Sequence, residues 1–285
     1  MYMLCPGKRL VMSGKVFYSC PILWVLFVLV SEYGVVSTLQ NVTRELFGTE
    51  SRGTIAAFGD FNSDKQTDLF IIRAGRELIV FLADQSAPYM KPKVKMTLKD
   101  THAVITSVVP GDFDGDSQMD VLLTIRPQQA ISMELSVLII WGNNEMLDSN
   151  HSLILNQTFV DEPLVMDFDG DLIPDVLGTI KGEKQLHVFS LKNRLLTSLK
   201  LDSQSERYKP HSHAFIDLNG DFTADLFFTT VNPSSQQIQF EVWLNKDGNF
   251  TNTTYITKRP DDIKITGQSV FADFGKFDGK EHSCG

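Results

Sequence analysis

The stretch "PGDFDGDSQMDVLLTI", residues Pro110–Ile125, places Asp112, Asp114, Asp116 and Asp120 within nine residues and then turns apolar. Like charges at this density repel, so something must neutralise them. A solvated acidic turn mixes Glu with Asp and leaves their spacing free. Here the acids occupy loop positions one, three, five and nine, and that alternation lets oxygens from one tight turn converge on a point. A hard cation such as Ca²⁺ takes six to eight oxygen ligands at roughly 2.3–2.6 Å.

The loop is one of four. "GDFNSDKQTDLFII" carries Asp60, Asn62, Asp64 and Asp68 at the same positions; "MDFDGDLIPDVLG" carries Asp167, Asp169, Asp171 and Asp175; "IDLNGDFTADLFF" carries Asp217, Asn219, Asp221 and Asp225. The first aspartates follow one another at 52, 55 and 50 residues. Position two is apolar each time, as Phe61, Phe113, Phe168 and Leu218. A recurring oxygen-only pattern at near-constant period marks a repeat architecture. The sixteen residues are the expected ligands of up to four structural Ca²⁺. A fifth copy begins at Asp273 and loses the pattern at Gly275 and Phe277, so no metal is assigned to it.

The charge follows the loops. They hold 14 of 35 acidic residues; without them 21 acids stand against 26 Lys and Arg, and the net charge of −9 becomes about +5. Four divalent ions would bring the chain close to neutrality. No basic stripe points to nucleic acid.

An EF-hand opens on a similar acidic run but needs Gly at position six and Glu at position twelve. Position six is Lys65, Ser117, Leu172 or Phe222, and position twelve is Ile71, Leu123, Gly178 or Phe228. The flanks are short runs rich in Phe, Val, Leu and Thr, such as "HAFI" before Asp217 and "LFFTTV" after Asp225, which read as strands. The ninth residue then stands at the entrance of a second strand. "ELIVFLAD", "LSVLIIWGNN", "QLHVFSLKN" and "IQFEVWLNKDGNF" supply third strands, the last running into a hairpin signal. Four strands per roughly fifty residues is the content of a β-propeller blade.

With these residues in view, the pattern resembles the FG-GAP repeats of integrin α-subunit propellers, in "FGDFNSDKQTDLF" and "VWLNKDGNF" above all. The resemblance covers about Val42 to Ala272. It departs from that family at position six, where the family usually carries Gly. It implies an all-β propeller of four-stranded antiparallel blades. Integrin-type propellers close with seven blades; residues 38–272 hold four and the start of a fifth, so an incomplete propeller is expected. Residues 273–285 read as an atypical, disordered tail.

The N-terminus carries Lys8, Arg9 and Lys15, then a 15-residue apolar run from Val16 to Val30 and the small residues of "GVVS". This fits a secretory signal peptide over residues 1–37 rather than a spanning helix, which needs about 20 residues. Sequons at Asn41, Asn150, Asn156, Asn249 and Asn252 agree with export. Cys5 and Cys20 would leave with the leader, and Cys284 alone builds no disulfide framework.

No nucleophile elbow, zinc-protease helix motif or phosphate loop is present. His211 and His213 stand beside Asp217, a weak cue for a transition metal. Four equivalent acidic constellations suit structural metal better than catalysis, which needs one. The expectation is a non-catalytic extracellular recognition module with a protein partner. By resemblance its role is in T-cell or cell–cell interaction at the cell surface. Membrane attachment would require a C-terminal anchor in a longer form or an uncleaved leader, and this chain would otherwise be secreted. The alternative is an accessory or carbohydrate-binding propeller of a secreted hydrolase.

Overall fold

The computed structural model describes residues 40–129, 134–183, 185–201, 206–208, 213–232, 234–246, 249–256 and 271, with only the backbone at 206 and 251–256. The leader, Asp273 and the tail, the three cysteines and His211 lie outside these residues.

A short helix, α1 (Thr43–Phe47), precedes four antiparallel sheets formed in sequence order. The first contains β1 (Thr54–Gly59), β2 (Asp68–Arg73), β3 (Glu77–Ala83) and β4 (Met90–Thr97). The second contains β5 (Ala103–Gly111), β6 (Asp120–Pro127), β7 (Ser136–Asn143) and β8 (Met146–Ile154). The third contains β9 (Leu164–Met166), β10 (Asp175–Thr179), β11 (Leu186–Ser190) and β12 (Thr197–Leu201). In the fourth, β15 (Asp225–Val231), β16 (Ile238–Lys246) and β17 (Asn249–Ile256) follow a first strand in two pieces, β13 (Glu206–Arg207) and β14 (His213–Ile216). Both pieces pair with the same neighbour, β15, so the fourth sheet keeps the plan of the others around an interruption.

The second strands read as unbroken apolar runs because both of their faces are covered, the pattern of a strand between two packed layers. In β6, Val121 and Leu123 join Phe70, Leu78 and Val80 of the first sheet in one core. Leu122, on the opposite face, joins Val176 and Phe189 of the third sheet in the next. Leu177, Leu186 and Val188 then pack with Leu226, Phe228 and Trp243 of the fourth. Fully burying one such side chain is worth roughly 1.5–3 kcal/mol, so these cores dominate cohesion. Four sheets of this plan, each packed face on to the next, are consistent with successive propeller blades. Phe227 faces away from the third core, where Phe271 meets it edge-on at 5.1 Å. Phe271 precedes Asp273 by two residues, as Phe215 precedes Asp217.

Phe159 joins the second and third sheets. Its backbone exchanges hydrogen bonds with Leu135 at 2.8 and 2.9 Å and bridges Ile180, and its ring is fully buried. The ring lies over Gly178: a Cβ there would sit 2.5 Å from Phe159 Cδ1. Gly178→Ala is therefore expected to destabilise the chain by about 1–3 kcal/mol in urea titration, the usual cost of overpacking. An unchanged midpoint would show that Phe159 is not a rigid part of the contact.

Candidate metal centre

Each acidic loop joins the first two strands of its sheet, and Asp68, Asp120, Asp175 and Asp225 open β2, β6, β10 and β15. The loops are held by their own backbone. The first aspartate accepts N–H groups from positions five and six, as Asp112 does from Asp116 at 3.1 Å and Ser117 at 2.8 Å. Curling the chain this tightly takes left-handed backbone at positions four and six. Position four is Gly115, Gly170 or Gly220 in three loops and Ser63 in the first, all at positive φ. Lys65, Ser117, Leu172 and Phe222 have φ of 64–68° at position six, where glycine is the residue without steric cost. The side chains of Leu172 and Phe222 project into solvent, 89% and 99% exposed.

The ninth aspartate turns inward and is almost fully buried in every loop. One oxygen accepts the N–H of position two: Phe61 at 2.7 Å, Phe113 at 2.8 Å, Phe168 at 3.0 Å and Leu218 at 2.9 Å. The other accepts an N–H from the third strand: Ala83 at 2.9 Å, Gly142 at 2.6 Å and Asn245 at 2.8 Å. This carboxylate therefore staples the loop to the middle of its own sheet. The third loop differs. β11 ends at Ser190, so no third-strand N–H reaches Asp175; its Oδ1 is buried without a well-aligned hydrogen bond, and only the Ser190 hydroxyl eases the charge on that side. Burial pushes Asp120 up to about 7 against the Gly142 and Phe113 N–H groups, and Asp175 up to about 6 against the Phe168 N–H and the Ser190 hydroxyl, which favour the charged forms. A raised carboxyl contributes stability below its unfolded pKa of about 3.9 and loses it as pH rises through the folded value. At neutral pH the buried charge is thus a cost that a nearby cation offsets.

The remaining carboxylates are partly neutralised from within the chain. In the first and fourth loops Asn62 donates to Asp64 at 3.0 Å and Asn219 to Asp221 at 2.9 Å. In the second and third loops, which have Asp instead, cations arrive from the 3₁₀ turn Lys192–Arg194 beyond β11. Arg194 Nε donates to Asp114 Oδ2 at 2.6 Å, and Lys192 Nζ to Asp171 Oδ2 at 2.8 Å. The Asp171 hydrogen bond raises the Lys192 pKa, and the Asp114 hydrogen bond raises that of Arg194. Sequence reasoning missed both basic residues: Arg194 lies 80 positions from Asp114, and only the topology brings the end of the third strand to the loops.

The donor set suits a hard cation. Oxygens of Asp112, Asp114 and Asp116 lie within 4.8 Å of one another, as do those of Asp167, Asp169 and Asp175. The third loop fits best, because the buried oxygen of Asp175 that lacks a well-aligned hydrogen bond belongs to its cluster. There Asp167, Asp169 and Asp175 would hold the ion. In the first and fourth loops a flip of the Asn62 or Asn219 amide would turn its carbonyl oxygen toward an ion. Asp68, Asp120 and Asp225 use both oxygens on backbone N–H groups. His213 packs edge-on to Phe228 at 4.9 Å. Of the sequons, Asn41, Asn150, Asn156 and Asn249 are exposed, and the Asn252 side chain lies outside the described residues.

With this geometry established, the comparisons place the chain. It is 57% identical over 244 residues to the human T-cell immunomodulatory protein, and 56% identical over the same length to the mouse protein. Each alignment takes in 86% of this chain. The chain is a homologue of these proteins. It spans 39% of their length. The protein linkin of Caenorhabditis elegans is 28% identical over 214 residues, 67% of this chain and 34% of linkin. No family model matches. Among the described residues no helix is long and apolar enough to cross a membrane.

The staple makes a differential expectation. Asp225→Asn replaces one of two acceptors with a donor facing a backbone N–H, and a buried donor left unpaired costs about 1–3 kcal/mol. Asp175→Asn can place its amide where Oδ1 has no backbone N–H partner, so the loss should be clearly smaller. Chemical denaturation of both variants in chelator reads the difference, and equal losses would contradict the staple.

Proposed function

We propose that the chain is a non-catalytic recognition module of a cell-surface protein that modulates T-cell or cell–cell contact, with loops that take structural Ca²⁺. The observation that carries the reading is the similarity to the T-cell immunomodulatory proteins over 86% of the chain. The site chemistry agrees with it. The acidic clusters recur at one place in every sheet, as a structural device does and a catalytic constellation does not. Asp167, Asp169 and Asp175 form the leading cation site. An ion there would cancel the buried charge of Asp175 and hold the entrance of β10. The exposed sequons and the apolar leader support passage through the secretory pathway to the cell surface. The binding partner is then an extracellular protein, and the loop tips and sheet edges are the surfaces offered to it.

The test uses purified glycosylated chain, multimerised and fluorescently labelled, on living T cells in millimolar Ca²⁺. Saturable staining that falls on chelation and returns with Ca²⁺ is expected. Asp167→Ala should weaken it more than Asp112→Ala, because Arg194 stands among the second loop's acids whereas Lys192 hydrogen-bonds only the outer Asp171 of the third. The absence of saturable staining in either condition would remove the recognition reading, and staining indifferent to chelator would remove the calcium part of it.

A further inference from the structure

The second loop offers as many carboxylates as any, with Asp112, Asp114 and Asp116 clustered, yet a cation already stands among them. Arg194 Nε binds Asp114 Oδ2 at 2.6 Å, and its Nη2 lies 3.6 Å from Asp116 Oδ2. The Asp114 side chain is only 3% exposed, so this pair is shielded from solvent on the carboxylate side. The placement is built rather than incidental. The Asn193 N–H donates to the Asp114 carbonyl at 2.9 Å, anchoring the turn to the loop it serves. The Trp141 ring lies beneath the guanidinium, 5.1 Å from its carbon, a cation–π contact from the second sheet. Asn193 and Arg194 both take left-handed backbone, at φ 55° and 60°, a conformation that non-glycine residues adopt only when surroundings compensate for it. The compensation here is the delivery of Arg194 into the loop. The same turn sends Lys192 to Asp171, with a weaker electrostatic reach to Asp169, and puts no cation among Asp167, Asp169 and Asp175 as Arg194 stands among the second loop's acids.

We infer that Arg194 is the resident cation of the second loop and decides which loops take up a divalent ion. It fills the second loop and leaves the first, third and fourth to bind metal. An ion entering the second loop must displace the guanidinium and pull the Lys192–Arg194 turn off Trp141. Ion uptake there is therefore coupled to loosening of the contact between the second and third sheets. This rests on the calcium reading of the loops proposed above, but the resident-cation role can be tested separately from it.

The experiment compares the full chain with Arg194→Ala and Arg194→Lys, measuring Ca²⁺ stoichiometry by calorimetry and the melting temperature in chelator. Arg194→Ala should bind one more Ca²⁺ than the unsubstituted chain. It should also melt several degrees lower in chelator, with the loss restored by millimolar Ca²⁺. Arg194→Lys keeps the charge but loses the planar fork, so it should fall between the two. It also supplies the ion count if the alanine variant does not fold without metal. An unchanged ion count with an unchanged chelator melting temperature would overturn the inference. If no chain takes up any ion, the calcium reading fails. The melting comparison in chelator then still decides: a lower value for Arg194→Ala upholds Arg194 as the loop's cation, and an equal value overturns it.

Discussion

The structure depends on the carboxylate that closes each acidic loop. Asp68, Asp120 and Asp225 each accept one N–H from the loop and one from the third strand, so a single side chain sets where the loop ends and how it sits on its sheet. A carboxylate suits this role because it alone among small side chains offers two acceptors and no donor. The role carries an electrostatic cost. The group is buried and two or three further carboxylates stand nearby; for Asp68 and Asp120 burial disfavours the charged form. The apolar second strand that begins at the same residue is thereby tied to a local excess of negative charge.

That excess is met in two ways within the chain. Backbone N–H groups curl around the first aspartate of every loop, which requires left-handed residues at positions four and six. Side-chain donors then meet the outer carboxylates: asparagine amides in the first and fourth loops, and basic residues from the Lys192–Arg194 turn in the second and third. Because this turn belongs to the third sheet while Asp114 belongs to the second, charge compensation also joins neighbouring sheets. It acts on the same side as the apolar core formed by Leu122, Val137, Val176 and Phe189. Packing and electrostatics thus hold one interface together.

Much of this was legible in the sequence, for physical reasons. The loop register predicts a strand entrance at the ninth residue, and Asp68, Asp120, Asp175 and Asp225 are the first residues of their strands. The third strands fall within the stretches read as strands, as β3 does in "ELIVFLAD" and β7 in "LSVLIIWGNN". Both signals are local. The resemblance to FG-GAP repeats supplied the sheet plan, which the four antiparallel sheets bear out. What stayed hidden depends on distance or on backbone. The inward role of the ninth aspartate needs the third strand beside it, 15 to 22 residues away in the chain. Arg194 reaches Asp114 only through the packing of two sheets. The absence of glycine at position six looked like a departure from the family pattern; Lys65, Ser117, Leu172 and Phe222 nevertheless take the left-handed conformation that glycine would supply. One signal was passed over: the sequence between β13 and β14 contains Pro210, which cannot donate to a strand ladder and marks the break.

Each loop's negative charge calls for a partner of its own, and in the second loop Arg194 stands in that place. A crystal structure of the chain grown in millimolar Ca²⁺, with anomalous diffraction collected to locate the ions, tests this most directly. The expected result is an ion among Asp167, Asp169 and Asp175, with Arg194 still bonded to Asp114 and no ion in the second loop. An ion among Asp112, Asp114 and Asp116 with Arg194 turned away, or an empty third loop beside filled neighbours, would contradict it.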